Sequence, residues 1–111
     1  MLADTDQGTL DALFGAFANG TRRRILEHLV QGEATVTELS SICGVTMPSI
    51  SRHLSELSDA GLIERRVDGR IRWVRLQPVA FEPARGWLRA LPGGSDGGSL
   101  ADYLKQLGNK E

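Results

Sequence analysis

The stretch from Thr35 to Leu76, TVTELSSICGVTMPSISRHLSELSDAGLIERRVDGRIRWVRL, constrains this chain more than any other. Thr35 and Glu38 form an S/T-x-x-E capping box, which opens a helix by satisfying two backbone donors reciprocally. Val36, Leu39, Ile42 and Cys43 supply its buried side, Gly44 ends it, and Val45 is expected to pack inward. Thr46 follows at once as the N-cap of a second helix, with Pro48 in the first turn, where a missing backbone N–H costs nothing. Ile50, Leu54 and Leu57 make one apolar stripe at helical spacing. So short a turn forces the two helices to cross sharply. Gly61 stands where a left-handed closing residue is wanted, with Leu62 placed for the accompanying hydrophobic contact.

Off the apolar stripe lie Ser49, Ser51, Arg52 and Ser55. A simple solvated face carries more Glu and Lys, whereas small hydroxyls beside one long cation let a helix approach the floor of a DNA major groove. The helix is therefore predicted to be a recognition helix, with Thr46, Met47, Pro48, Ser49, Ser51, Arg52 and His53 at base edges or adjacent phosphates. Leu62–Val67 and Arg70–Leu76 read as strands, and Asp68-Gly69 between them as a two-residue hairpin turn. That register sets Arg65 opposite Arg72, Val67 opposite Arg70 and Ile63 opposite Val74. Like charges directly across a strand pair are destabilising, so Arg65 and Arg72 require an outside partner such as a phosphate. Arg65, Arg66, Arg70 and Arg72 are accordingly assigned to DNA, Ile63 and Val74 to the core, and Asp68 to the turn. The predicted class is α+β, mostly α: a winged helix-turn-helix whose wing is a two-stranded β-hairpin and whose terminal helices serve dimerisation.

On the N-terminal side, Leu10, Leu13, Phe14 and Phe17 recur at helical spacing and predict a helix from about Thr9 to Ala18. Thr21 is the expected N-cap of the next helix, with Ile25, Leu26, Leu29 and Val30 inward and Gly32 beyond its end. Arg22, Arg23 and Arg24 crowd its first turn, where the macrodipole disfavours cations. Either an anion such as a phosphate lies nearby, or this is a solvated basic turn with one Arg packed along its stem. On the C-terminal side, Pro78 and Pro83 flank the start of a helix that carries Phe81, Ala84, Trp87, Leu88 and Leu91 and ends at Pro92. Residues 92–99, PGGSDGGS, have the composition of a flexible linker. Ser99 then caps an amphipathic helix over 100–111 with Leu100, Tyr103, Leu104 and Leu107 in one stripe. The predicted division is a DNA-binding domain with its dimerisation helices over 1–91, the linker 92–99, and the tail helix 100–111. The terminal helices carry more apolar surface than so small a domain covers, which predicts a homodimer through Leu10, Leu13, Phe14, Phe17, Phe81, Trp87, Leu88, Leu91, Tyr103 and Leu104.

At 111 residues, 41% hydrophobic and 24% charged, the chain is bounded to one ordinary globular domain with a modest core. No apolar run is long enough to span a membrane, and the N-terminal MLADTDQG lacks the basic start and apolar core of a signal peptide. A cytoplasmic location without a membrane partner is expected. The lone Cys43 excludes an internal disulfide, agrees with a reducing compartment, and is read as a buried structural thiol. A net charge of −1 and a pI near 6.1 argue against binding nucleic acid by bulk charge, so the DNA reading rests on where the basic residues sit. No nucleophile–base pair, carboxylate pair, metal cluster or phosphate-cradling loop is present, and neither an enzyme nor a cofactor nor a metal site is expected. The alternative is a winged-helix module that binds a protein partner; the acidic pI favours it slightly, and the Arg-rich hairpin and hydroxyl-lined helix oppose it.

With these features in hand, the chain resembles the ArsR-type family of bacterial winged-helix repressors over roughly Leu10 to Leu91. Its most specific pieces are Ser51-Arg52-His53-Leu54 leading to Ala60-Gly61-Leu62-Ile63, followed by the charged hairpin. The resemblance implies a homodimer joined through its first and last helices, two recognition helices presented to an inverted-repeat operator on double-stranded DNA, and repression of a nearby operon. Many members sense metals through a cysteine pair in the third helix. Here that stretch reads Glu33-Ala34-Thr35-Val36-Thr37-Glu38-Leu39, and hydroxyls are poor ligands for soft metals. Others bind zinc through Asp and His on the last helix, but His28 and His53 lie far from it in sequence. The chain is most similar to the metal-free branch, with Thr21-Arg22-Arg23-Arg24-Ile25-Leu26 and the Trp87-Leu88 pair as shared features. The glycine-rich linker interrupts what is usually continuous C-terminal helix. An inducer is not identified: Trp87, Phe81 and Tyr103 could admit a small molecule at the dimer interface, although aromatics at helical spacing serve more often as core.

Overall fold

The computed structural model describes residues 6–91; the linker over 92–99 and the expected tail helix with Tyr103 and Leu104 lie outside them. The chain runs α1 (Gln7–Phe17), α2 (Gly20–Leu29), β1 (Ala34–Thr35), α3 (Val36–Cys43), α4 (Met47–Asp59), β2 (Ile63–Asp68), β3 (Ile71–Leu76), a 3-10 turn (Pro78–Phe81) and α5 (Glu82–Ala90). The strands form one antiparallel sheet in the order β1-β3-β2.

Local hydrogen bonding explains most of the boundaries. The Thr35 hydroxyl accepts from the Glu38 N–H at 3.1 Å, and the Glu38 carboxylate accepts from the Thr35 N–H at 3.1 Å, completing the box that starts α3. The Thr46 hydroxyl accepts from the Ser49 N–H at 3.2 Å and starts α4. Both helices close alike. Gly44 and Gly61 adopt φ of 65° and 76°, and the residue after each donates back five positions, Val45 to Ser40 and Leu62 to Leu57. Such paired closures need a left-handed residue, which glycine supplies without strain. Ile50, Leu54 and Leu57 of α4 then meet Leu13, Ile25, Leu39, Leu62 and Val74 in one core.

Four expectations are corrected. The cap of α2 is Asn19 rather than Thr21: the Asn19 side chain accepts from the Arg22 N–H at 3.0 Å, so α2 begins almost where α1 stops. Asn caps at least as well as Thr, and the earlier position wins. Val30 is 72% exposed because α2 ends at Leu29, and Ile42 is 39% exposed, while Leu39 and Cys43 make the contacts of α3 with the core. The hairpin register is shifted by two residues, pairing Ile63 with Leu76, Arg65 with Val74, Arg66 with Trp73, Val67 with Arg72 and Asp68 with Ile71. Its loop is therefore Gly69-Arg70, with Gly69 alone at positive φ (64°), as a turn of the II′ kind requires. Finally, the sheet has a third strand: buried Ala34 pairs with Val74, a two-residue segment too short to show any periodicity.

Candidate nucleic-acid interface

The apolar stripe of α4 is buried, so its opposite side forms a ridge on which Met47, Pro48, Ser51, Arg52 and Ser55 are exposed, with Ser49 and His53 half-buried beside them. Clefts run along both flanks. On one side a cleft of about 480 Å³ is lined by Arg22, Pro48, Ser51, Arg52, His53, Ser55 and Glu56. On the other, about 230 Å³ separates α4 from the hairpin, between Ser51 and Leu54 on the helix, Val36 of α3, and Arg65, Arg66, Val67, Arg72 and Trp73 on the strands. Ser51 lines both, which places it at the crest.

Strand alternation sorts the hairpin arginines. Cross-strand partners share a face, so Arg65 and Arg72 lie on the same side as core residues Ile63 and Val74, further out along the strands. Both line the cleft beside α4. They are not directly opposite one another, which removes the repulsion argument that their predicted pairing supplied. Arg66 occupies the other face, where it pairs with Glu33 at 2.9 Å and Asp68 at 3.9 Å and stands 5.6 Å from the centre of the Trp73 ring. Arg75 on that face is paired with Glu64. Among the described residues Arg52, Arg65, Arg70 and Arg72 have no carboxylate within 4.0 Å. Arg70 and Arg72 also line a third hollow, with Thr35 and Thr37 at the start of α3. This placement of Thr37 was not read from the sequence, because its neighbours in the hollow come from a hairpin more than thirty positions away.

Two arginines of the basic first turn of α2 are held by backbone carbonyls of α1. Arg22 donates through Nε to the Ala16 carbonyl at 2.9 Å and through a terminal nitrogen to the Gly15 carbonyl at 3.1 Å, while Arg23 donates to the Phe17 carbonyl at 2.7 Å. These carbonyls lie in the last turn of α1, at the negative end of its dipole, and that of Gly15 also accepts the Ala18 N–H at 3.2 Å. The remaining terminal nitrogen of Arg22 lies 3.4 Å from Nδ1 of His53. Partial burial, then the Arg22 and Arg52 charges, hold the His53 ring below its ordinary basicity, with Glu56 opposing. The imidazole is neutral at pH 7.

The residues expected to dimerise divide in two. Leu10 and Leu13 are 4% and 1% exposed, buried within the chain where α1 packs against α2 and α5. Phe14, Phe17, Phe81, Trp87 and Leu91 are half-buried, and Leu88 is 41% exposed. Phe14 meets Trp87 edge-on at 5.6 Å between ring centres, and Phe17 stacks on Phe81 at 5.9 Å. Among the described residues no group of three or more His, Cys, Asp and Glu side chains could hold a metal ion, and the Thr35 hydroxyl is occupied by its cap. Burial pushes the Cys43 thiol above its ordinary pKa against the opposing charge of Arg24, which leaves it protonated and a poor nucleophile. Among the described residues no helix is long and apolar enough to cross a membrane.

Comparison with known proteins agrees with this geometry. Residues 17–66 match the family described as a helix-turn-helix domain. The chain is 38% identical over 88 residues to HTH-type transcriptional regulator Rv2034 of Mycobacterium tuberculosis, an alignment covering 75% of this chain and 82% of that protein. Among solved structures it superposes on an ArsR family transcriptional regulator with a TM-score of 0.71 at 34% identity, over 75% of this chain and 86% of the other. It also superposes, with a TM-score of 0.64 at 30% identity, on a homodimeric winged helix-turn-helix DNA-binding domain from Mycobacterium bovis, a possible ArsR-family regulator. That match covers 76% of this chain and 80% of the other.

Proposed function

The chain belongs to the ArsR-type family of winged helix-turn-helix transcriptional regulators, and from that premise we propose that it acts as a homodimeric repressor reading an inverted-repeat operator with α4. The observation that carries the reading is the α4 ridge itself, small hydroxyls and one arginine flanked by clefts that hold unpaired cations. A major groove about 12 Å wide admits one helix, and the walls of that groove are phosphates. Ser51 and Arg52 then address bases, while Arg65, Arg70 and Arg72 address the backbone. Arg66 has a smaller share, since Glu33 and Asp68 already neutralise it. An acidic protein can work in this way because Arg52, Arg65, Arg70 and Arg72, which have no carboxylate within 4.0 Å among the described residues, gather at the ridge and its flanks.

Removing phosphate contacts weakens all sequences alike and flattens the salt dependence, with log K changing by about 0.9 per contact per decade of salt on B-DNA. The double variant Arg65→Ala/Arg72→Ala is therefore expected to lower the salt slope by about 2 per bound subunit, and so by about 4 for the dimer on an inverted repeat, without changing base preference. Fluorescence anisotropy across a salt series measures it. An unchanged slope would place these arginines away from the backbone.

We assign the dimer to the face where α1 meets α5, with residues 1–91 as the unit that folds, dimerises and binds, and residues 92–111 as its linker and tail. Val79 at 76% exposure and Leu88 at 41% lie on or next to α5, beside the Phe14–Trp87 and Phe17–Phe81 contacts. Apolar groups so placed favour a symmetric partner covering them. Light scattering at micromolar concentration is expected to give twice the chain mass of 12.1 kDa. A mass of one chain would remove the dimer from the account.

A further inference from the structure

We propose that Arg22 and His53 form a positioning contact through which the C-terminal end of α1 fixes the orientation of the recognition helix. The inference rests on the reading of α4 as the DNA-reading element and gives His53, expected from the sequence at base edges or adjacent phosphates, a positioning role together with Arg22.

The guanidinium of Arg22 spans two structural parts at once. Two of its nitrogens donate to the Ala16 and Gly15 carbonyls of α1, and the third reaches the His53 ring of α4. Arginine has no acceptor, so it must be the donor in all three contacts. His53 Nδ1 consequently carries a lone pair, and its proton sits on Nε2. Among the described residues this is the one side-chain hydrogen bond between α4 and the α1–α2 pair. Elsewhere those elements meet through apolar packing of Ile25, Leu26 and Leu29, which resists separation but permits sliding and rotation more readily than a hydrogen-bonded fork does.

The other end of this connection is the face assigned to the dimer. Gly15 and Ala16 lie between Phe14 and Phe17, whose rings meet Trp87 and Phe81 of the C-terminal elements. A shift of α1 at that face is thus delivered to α4 through one planar, rigid group. The charged groups facing His53 are Arg22 from α2 and Arg52 and Glu56 from its own helix. Protonating the ring would put a hydrogen on Nδ1, directed at the guanidinium, and convert the contact from attraction to repulsion.

The test uses the full-length chain and three variants, Arg22→Gln, His53→Leu and His53→Asn, the last keeping an acceptor near the Nδ1 position. Residual dipolar couplings compare the orientation of α4 with that of α1, NMR titration follows the His53 ring, and binding is measured on duplexes with one or two half-sites drawn from a selected operator. Arg22→Gln and His53→Leu are expected to change the α4 orientation, and His53→Asn to preserve it. In Arg22→Gln the ring should titrate closer to the ordinary value of 6.5. Two-half-site affinity should fall by about tenfold in Arg22→Gln and His53→Leu, the order of coupling between contacting residues, and by more than one-half-site affinity does. Wild-type affinity for two half-sites should also fall with acidification through the His53 titration, and that of His53→Asn should not.

Unchanged couplings in His53→Leu and Arg22→Gln would overturn the proposal whatever the DNA results. The two His53 variants leave the α1 carbonyl bonds in place, so they decide the question even if Arg22→Gln does not fold. A wild-type protein that binds no duplex would defeat the functional reading, while the couplings would still decide the positioning role.

Discussion

Replacing Leu57 with Ala is expected to destabilise the fold by about 2–5 kcal/mol, the range for truncating a buried leucine in a core that relaxes only partly. Leu57 is fully buried, the last residue of the α4 stripe, and its carbonyl accepts the Leu62 N–H at 3.0 Å that closes the helix. The cavity would open where α4 and the start of the hairpin share the core with Leu62. Because a small single-core domain has a total stability of only about 5–15 kcal/mol, DNA binding should be lost at moderate temperature through unfolding. Urea denaturation followed by circular dichroism measures the loss. A cost below about 1 kcal/mol would mean that α4 is not held by this stripe.

The second large effect is on recognition. Truncating Arg52 to Ala is expected to weaken operator binding by about 1–3 kcal/mol per half-site and to relax preference at one base pair in each, as for loss of a bidentate contact to guanine. Arg52 is exposed on the ridge, is offset from the buried stripe, and has no carboxylate within 4.0 Å among the described residues, so its removal should leave stability almost untouched. Competition binding against a panel of single-base operator variants separates this result from loss of a phosphate contact, which lowers affinity for every variant equally. Uniform weakening would move Arg52 from base readout to the backbone.

What the sequence made legible is what short-range chemistry decides. The Thr35–Glu38 box, the Thr46 cap and the closures at Gly44 and Gly61 join groups within five residues of one another, and each is found where expected. The α4 stripe is equally local, because helical spacing alone aligns Ile50, Leu54 and Leu57. The hairpin register is not local. Asp68-Gly69 is a good turn by itself, but pairing Ile63 with Leu76 and Val74 with the incoming Ala34 moves the loop to Gly69-Arg70. A shift of two residues preserves which side chains share a face, so the grouping of Arg65 with Arg72 survives although their direct pairing does not. The separation of Arg66 from them depends on Glu33 and Trp73, which only the assembled sheet brings near it. Arg22 shows the same limit. Cations against the positive end of a helix pointed to a nearby anion, whereas Arg22 is held by the neutral carbonyls at the C-terminal end of α1, which come close only once α1 and α2 are packed.

The central claim is that α4 reads DNA sequence in the context of a symmetric dimer. Selection of bound duplexes from a random pool by the folded full-length protein, carried out at two salt concentrations, tests it most directly. The account predicts an inverted repeat whose half-sites are centred about one helical turn apart, with the same bases enriched at both salts. Failure to enrich any sequence, from protein shown to be folded and dimeric, would contradict it.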